Sequence, residues 1–181
     1  MRIADCLPHH EGDVVVRRLS YADAEAYATG TKDDAVQRYG YLPLTEYSPQ
    51  IVTDQIDGEI ADGLEDGSLA VLSIADANSD EFLGSIVLFN VRPERAEVGF
   101  WLAPQARGRG VAQKGLRAVL RLAANAGFRH LDAQTDGTNL ESRRALEAAG
   151  FIQTEGPQDA AVPPGIPVSV VKFERPTERQ N

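Results

Sequence analysis

The chain has 181 residues, enough for one domain that buries roughly 70% of its unfolded surface. With 18 basic against 27 acidic side chains its formal charge is −9. That balance argues against nucleic acid as the main partner, since neutralising phosphates needs a basic face, and it suits a cationic ligand such as an amine. Cys6 is the lone cysteine, and no run of ~18 apolar residues occurs. Neither an internal disulfide nor a thiolate metal cluster can form, His9 and His10 lack partners at zinc spacing, and the expectation is a cytoplasmic protein with no membrane span and no metal.

Residues 1–13 carry no apolar signal core and are expected to be a flexible N-terminal segment. Residues 14–19 are β-rich and open the fold as a strand. Ser20 followed by Asp23 is a capping pair for a helix through Ala28, and a second short helix spans 33–39 before Gly40. Ser48-Pro49 starts another helix, in which Val52, Ile56, Ile60 and Leu64 make one apolar stripe as far as Gly67. Residues 69–75, 82–91 and 96–102 read as three strands joined by polar turns, an antiparallel meander. A helix follows over 108–125, with Val111, Gly115, Val119 and Leu122 turned inward, and Gly127 ends it. Then come a strand over 130–135, a helix over 139–149 closed by Gly150, and a strand pair, 151–154 and 168–173. A stiff, Pro-rich loop over 156–167 would separate that pair and frame a cleft, and residues 174–181 are expected to be a tail.

The richest segment is Arg107-Gly108-Arg109-Gly110-Val111-Ala112, a basic glycine turn between a buried strand and a helix start. Glycines let backbone N–H groups approach a ligand, a helix N-terminus carries about half a positive charge, and two arginines add full charges. A phosphate or pyrophosphate is the natural occupant. A P-loop needs Lys followed by Ser or Thr, but Lys114 precedes Gly115. A dinucleotide fingerprint needs a third glycine where Gln113 stands, and although Asp132 lies near the distance of a ribose-binding acid, the meander is wrong for a doubly wound sheet.

Gln105-Ala106-Arg107-Gly108-Arg109-Gly110 resembles the Q/R-x-x-G-x-G/A signature of the GNAT acyltransferase superfamily. Asn139-Leu140-Glu141-Ser142, followed by Ala148-Ala149-Gly150-Phe151, is similar to the N-x-x-S…GF ending of its ribosomal-protein N-terminal acetyltransferase branch, as is the opening Val16-Arg17-Arg18-Leu19 with Asp23-Ala24-Glu25. The resemblance implies a single α/β (α+β) domain over 14–173, with a mixed, mostly antiparallel sheet of about six to seven strands that splays at an acyl-CoA site. It implies acetyl-CoA as co-substrate, with pyrophosphate on the amides of Arg107, Gly108, Arg109, Gly110, Val111 and Ala112. The pantetheine arm would run along Phe100, Trp101 and Leu102, with Asn139 bonding it and Ser142 near the sulfur. A primary amine would be the acceptor: a protein N-terminus, an aminoglycoside-like molecule or another small amine, on a monomer or homodimer. Another donor such as succinyl-CoA, and a non-catalytic acyl-CoA sensor, are the alternatives.

Acyl transfer to an amine needs a base to free the nucleophile and an acid to protonate the leaving thiolate. Glu97 falls where histone-acetylating members of the superfamily place their base; the competing reading is a strand-edge carboxylate paired with Arg95 or Arg92. Many members carry a tyrosine acid where this chain has Leu146, which leaves Ser142 as the hydroxyl for that role or as a helix-start cap. Trp101 either floors the acceptor cleft or packs the core, Lys114 either faces solvent or touches a CoA phosphate, and Tyr39, Tyr41 and Tyr47 either shape the acceptor pocket or pack the helix connection.

Overall fold

The computed structural model describes residues 2–162 and 166–177, with the side chains of 161–167 left aside. Eight strands form one sheet in the order β1-β2-β3-β4-β5-β6-β8-β7. These are β1 (His9–Glu11), β2 (Val14–Arg18), β3 (Ala70–Asp76), β4 (Phe82–Arg92), β5 (Arg95–Leu102), β6 (His130–Asp136), β7 (Ile152–Val162) and β8 (Ile166–Pro176). Every neighbouring pair is antiparallel except β5 and β6. The eighth strand is β1, which pairs His9 with Val16, so the segment expected to be flexible is built into the sheet and Ile3 is buried in the main core.

Among the described residues, six α-helices cover the two faces: α1 (Ala24–Gly30), α2 (Asp34–Tyr39), α3 (Pro49–Asp57), α4 (Glu59–Asp66), α5 (Val111–Ala126) and α6 (Leu140–Ala148). Against one face α5 buries Val111, Leu116, Val119 and Leu122 on Leu72, Ile74, Ile86 and Val98, joined by Leu146 of α6. Against the other, Tyr27, Val36, Val52 and Ile60 of α1–α4 enclose Phe82 and Trp101. The stripe read as one helix is two, because Gly58 leaves helical geometry (φ −106, ψ −111) between Asp57 and Glu59. The turn keeps the stripe facing inward across the break, so periodicity does not reveal it.

A bidentate ion pair fastens the N-terminal half. Arg17 donates to both oxygens of Asp23 (2.7 and 2.9 Å) and to Asp80 at 2.6 Å, while Asp23 also accepts from Ser20 and Ser73. Asp23 is only 3% exposed. Burial pushes its carboxyl up, but the guanidinium and the Ser20 and Ser73 donors outweigh burial and hold it below the ordinary value.

The C-terminal strands differ from expectation as well. Residues expected to be a Pro-rich loop are mostly strand: β7 and β8 pair from Ile152 with Glu174 to Val162 with Ile166. Pro157 is tolerated because β7 is an edge strand and the proline falls within a register shift between Glu155 and Gln158. Residues 163–165 of that loop and 178–181 of the expected tail lie outside the described residues, whereas Glu174–Pro176 continue β8 against β6.

Candidate active site

The sheet opens between β5 and β6. Only Arg95, Ala96 and Glu97 pair with β6, opposite His130, Leu131 and Asp132, while β4 stays paired with β5 as far as Leu102. Beyond Glu97 the two parallel strands diverge. Ala103 donates to Leu83 of β4, and backbone groups alternate sides along a strand, so those of Val98, Phe100 and Leu102 point into the opening. An extended, amide-bearing chain laid there finds a ladder of hydrogen-bonding groups.

At the far end of β5 the glycine turn leads into α5. Gly108 (φ 71) and Gly110 (φ 73) are both left-handed, and a Cβ on either would meet nothing within 4 Å. Among the described residues, none of the backbone N–H groups of 108–113 finds an acceptor; the first helical bond is Lys114 to the Gly110 carbonyl. Six donors in sequence, at the positive end of a 16-residue helix, form an anion cradle. The arginines divide the labour. Arg109 is exposed beside the turn, while Arg107 bonds Asp33 at 2.5 Å and the Leu102 carbonyl at 3.0 Å, fastening the turn to α2. Hydrogen bonding from Arg107 outweighs burial and holds the Asp33 carboxyl low. Lys114 is likewise committed, to Asp13 at 2.6 Å.

A model of the GNAT acetyltransferase domain matches residues 13–152. The chain belongs to the GNAT family. Solved structures share its fold: Mycobacterium smegmatis RimJ in complex with CoA-disulfide (20% identity, TM-score 0.76, covering 93% of this chain and 85% of that one). Ribosomal-protein-S5-alanine acetyltransferase from Vibrio fischeri does so too (15%, 0.76, 95% and 97%). So does spermidine N-acetyltransferase from Vibrio cholerae, in complex with CoA and spermine (14%, 0.74, 91% and 96%). No curated protein matches by sequence. The cradle and the opened strand of this GNAT domain have the donors that a diphosphate and a pantetheine arm require.

Glu97 stands at the last paired position before the strands of the GNAT sheet part. It is 9% exposed, and Arg92 and Arg95, its suggested ion-pair partners, bond Asp132 instead (3.3 and 2.9 Å). Its carboxylate accepts from two neutral amides, Asn90 Nδ2 at 3.0 Å and Gln134 Nε2 at 3.1 Å. Asn139 caps α6, its carbonyl oxygen accepting from the Ser142 N–H at 3.1 Å, which leaves the Asn139 NH2 free to donate elsewhere. The Ser142 hydroxyl therefore does not cap the helix, and it makes no hydrogen bond to a described residue. Leu146 is core, 1% exposed.

Trp101 points away from α5 into the second core, its ring 5.1 Å from Tyr27. Its side chain packs, and the backbone of its strand faces the opening. Tyr47 packs there too, 5.7 Å from Tyr27. Tyr39 and Tyr41 instead reach across to the end of β6, bonding Thr138 and Asp136 at 3.3 Å each. Burial, followed by the Asp136 carboxylate, pushes the Tyr41 hydroxyl up to about 12. Asp136 shares the Gln134 face of β6, the face from which Gln134 meets Glu97. Neither amide could be found by counting along the chain: Asn90 reaches Glu97 through a register shift between Phe89 and Arg92, and Gln134 depends on a parallel register that no local pattern encodes.

Proposed function

We propose that the chain is an acetyl-CoA-dependent N-acetyltransferase acting on a primary amine by direct attack in a ternary complex. The observation that carries this reading is the run of unpartnered amides over 108–113 beside the stretch of β5 beyond Glu97 that no longer pairs with β6. The diphosphate would rest on the amides from Gly108 to Gln113, with Arg109 adding charge. The pantetheine amides would pair with Phe100 and the Leu102 N–H, the Leu102 carbonyl being held by Arg107, and take a donor from Asn139. Acyl-CoA supplies the activated acyl group, as a thioester.

The residues of this chain then divide the proton work. An alkyl ammonium holds its proton until about pH 10.4 and a peptide α-amine until about 8, so a base is required near neutrality. Glu97 takes that proton: it is buried at the apex of the opening and no cation among the described residues neutralises it. Ser142, whose hydroxyl has no structural duty, protonates the departing sulfur. On the acceptor side Glu97 and Asp136 favour a positively charged molecule entering as an ammonium. The relatives named for ribosomal-protein alanine and for spermidine both take such amines, and a protein N-terminus or a small polyamine fits this chain equally.

The test is a donor-by-acceptor screen on the purified protein. Acetyl-CoA and succinyl-CoA are each mixed with spermidine, an aminoglycoside, and alanine- and serine-terminated peptides, and free thiol is followed. Release faster than buffer with acetyl-CoA and at least one amine is expected. Tight CoA binding with no release from any pair would make the protein a sensor, and absence of CoA binding by calorimetry would overturn the reading of the turn.

A further inference from the structure

A carboxylate only accepts hydrogen bonds, so both amides that meet Glu97 turn their NH2 groups toward it. They come from opposite sides. Gln134 lies two residues beyond Asp132, the parallel partner of Glu97, and so shares its face. Asn90 does not share it by default. Phe89 pairs with Glu97, so in a regular strand Asn90 would project from the other face. It reaches Glu97 because the ladder shifts between Phe89 and Arg92 and because Asn90 adopts a left-handed φ of 48. Asparagine is among the few side chains that tolerate this conformation. The strain secures a specific contact, since Asn90 is otherwise exposed.

We infer that Asn90 and Gln134 are positioning residues, a neutral clamp that fixes the Glu97 carboxylate at the apex of the opening. Each oxygen gives one lone pair to an amide and keeps one for the incoming ammonium. Neutral donors set the direction of the carboxylate while leaving its negative charge unopposed, whereas the nearby guanidiniums are committed to Asp132 and Glu174. This inference rests on Glu97 being the base.

Asn90→Gly keeps the left-handed backbone and removes the amide, and Gln134→Met removes the other donor at an exposed position. Each is made alone and on a Glu97→Gln background, with acetyl-CoA and the most active amine of the screen. Misplacing a reacting group by about 1 Å costs on the order of 100-fold, so each single change should lower kcat about 10- to 100-fold, with the acetyl-CoA KM within about twofold. On Glu97→Gln neither should lower kcat further. Equal losses on both backgrounds would mean a structural role and overturn the clamp. Unchanged kcat in the single variants, with Glu97→Gln inactive, would overturn the clamp and leave the base standing. Full turnover by Glu97→Gln would remove the base and the clamp together. A readout that needs no acceptor is the side-chain NH2 signals of Asn90 and Gln134 in 15N-labelled protein. Both should move on Glu97→Gln, and stationary signals would refute the contact.

Discussion

Replacing Gly110 with alanine tests whether the turn grips by conformation. Gly110 sits at φ 73, and a Cβ added there would have open space around it, so alanine would clash with nothing and incur only backbone strain, about 1–2 kcal/mol. The turn is exposed and can relax to release that strain, which swings the amides of 111–113 out of line. Ligand binding must then restore the left-handed state, and about 1–2 kcal/mol of restoring work weakens binding by about 5- to 30-fold. Asparagine tolerates the conformation better, so Gly110→Asn should fall between alanine and glycine. Calorimetry with CoA reads this order directly, and thermal melts should shift by no more than a few degrees because the relaxed turn stores little strain. An alanine variant that binds CoA as tightly as the parent would refute the reasoning. So would an asparagine variant weaker than alanine, which would mean that side-chain bulk and not backbone conformation decides.

Ser142→Ala should lower turnover at least about tenfold with unchanged CoA affinity, by steady-state kinetics and calorimetry; unaltered turnover would remove the hydroxyl from the chemistry. Asp23→Ala removes the buried carboxylate on which Arg17, Ser20 and Ser73 converge, leaving Arg17 its pair with Asp80, and should cost about 1–3 kcal/mol in urea unfolding. The same carboxyl is depressed in the fold, so its contribution is complete above its unfolded value of about 3.9 and is lost as pH falls through the lower folded one. Acid unfolding followed by circular dichroism should therefore lose its Asp23-dependent part below about pH 4. Gly30→Ala would put a Cβ 2.6 Å from the Trp101 ring, and overpacking of this kind should cost about 1–3 kcal/mol by the same unfolding assay.

What is legible in the sequence is what is local. The basic turn, the meander and the capped helix start at Ser48 each depend on a few adjacent residues whose backbone preferences decide the outcome, whereas the cap of α6 is Asn139 and not the Ser142 hydroxyl. β1 is hidden because three polar residues, His9, His10 and Glu11, carry no alternation of their own, and pairing with β2 makes them a strand. The β7–β8 hairpin reads as loop because Gly156, Pro157 and Pro167 are breakers in the middle of a sheet and are tolerated at its edge.

The site divides along the same line. Its anion cradle is one continuous segment and can be found by reading along the chain. The proposed proton machinery is assembled from β4, β5 and β6, which only the tertiary pairing of the sheet brings together. The parallel pairing spans only three residues, and beyond it the diverging strands leave room for the proposed ligand. The carboxylate at that point thus gains enclosure from the sheet on one side and access on the other. On the proposed reading that double condition suits neutral amides as its partners: an ion-paired guanidinium would cancel the charge that an incoming ammonium would meet.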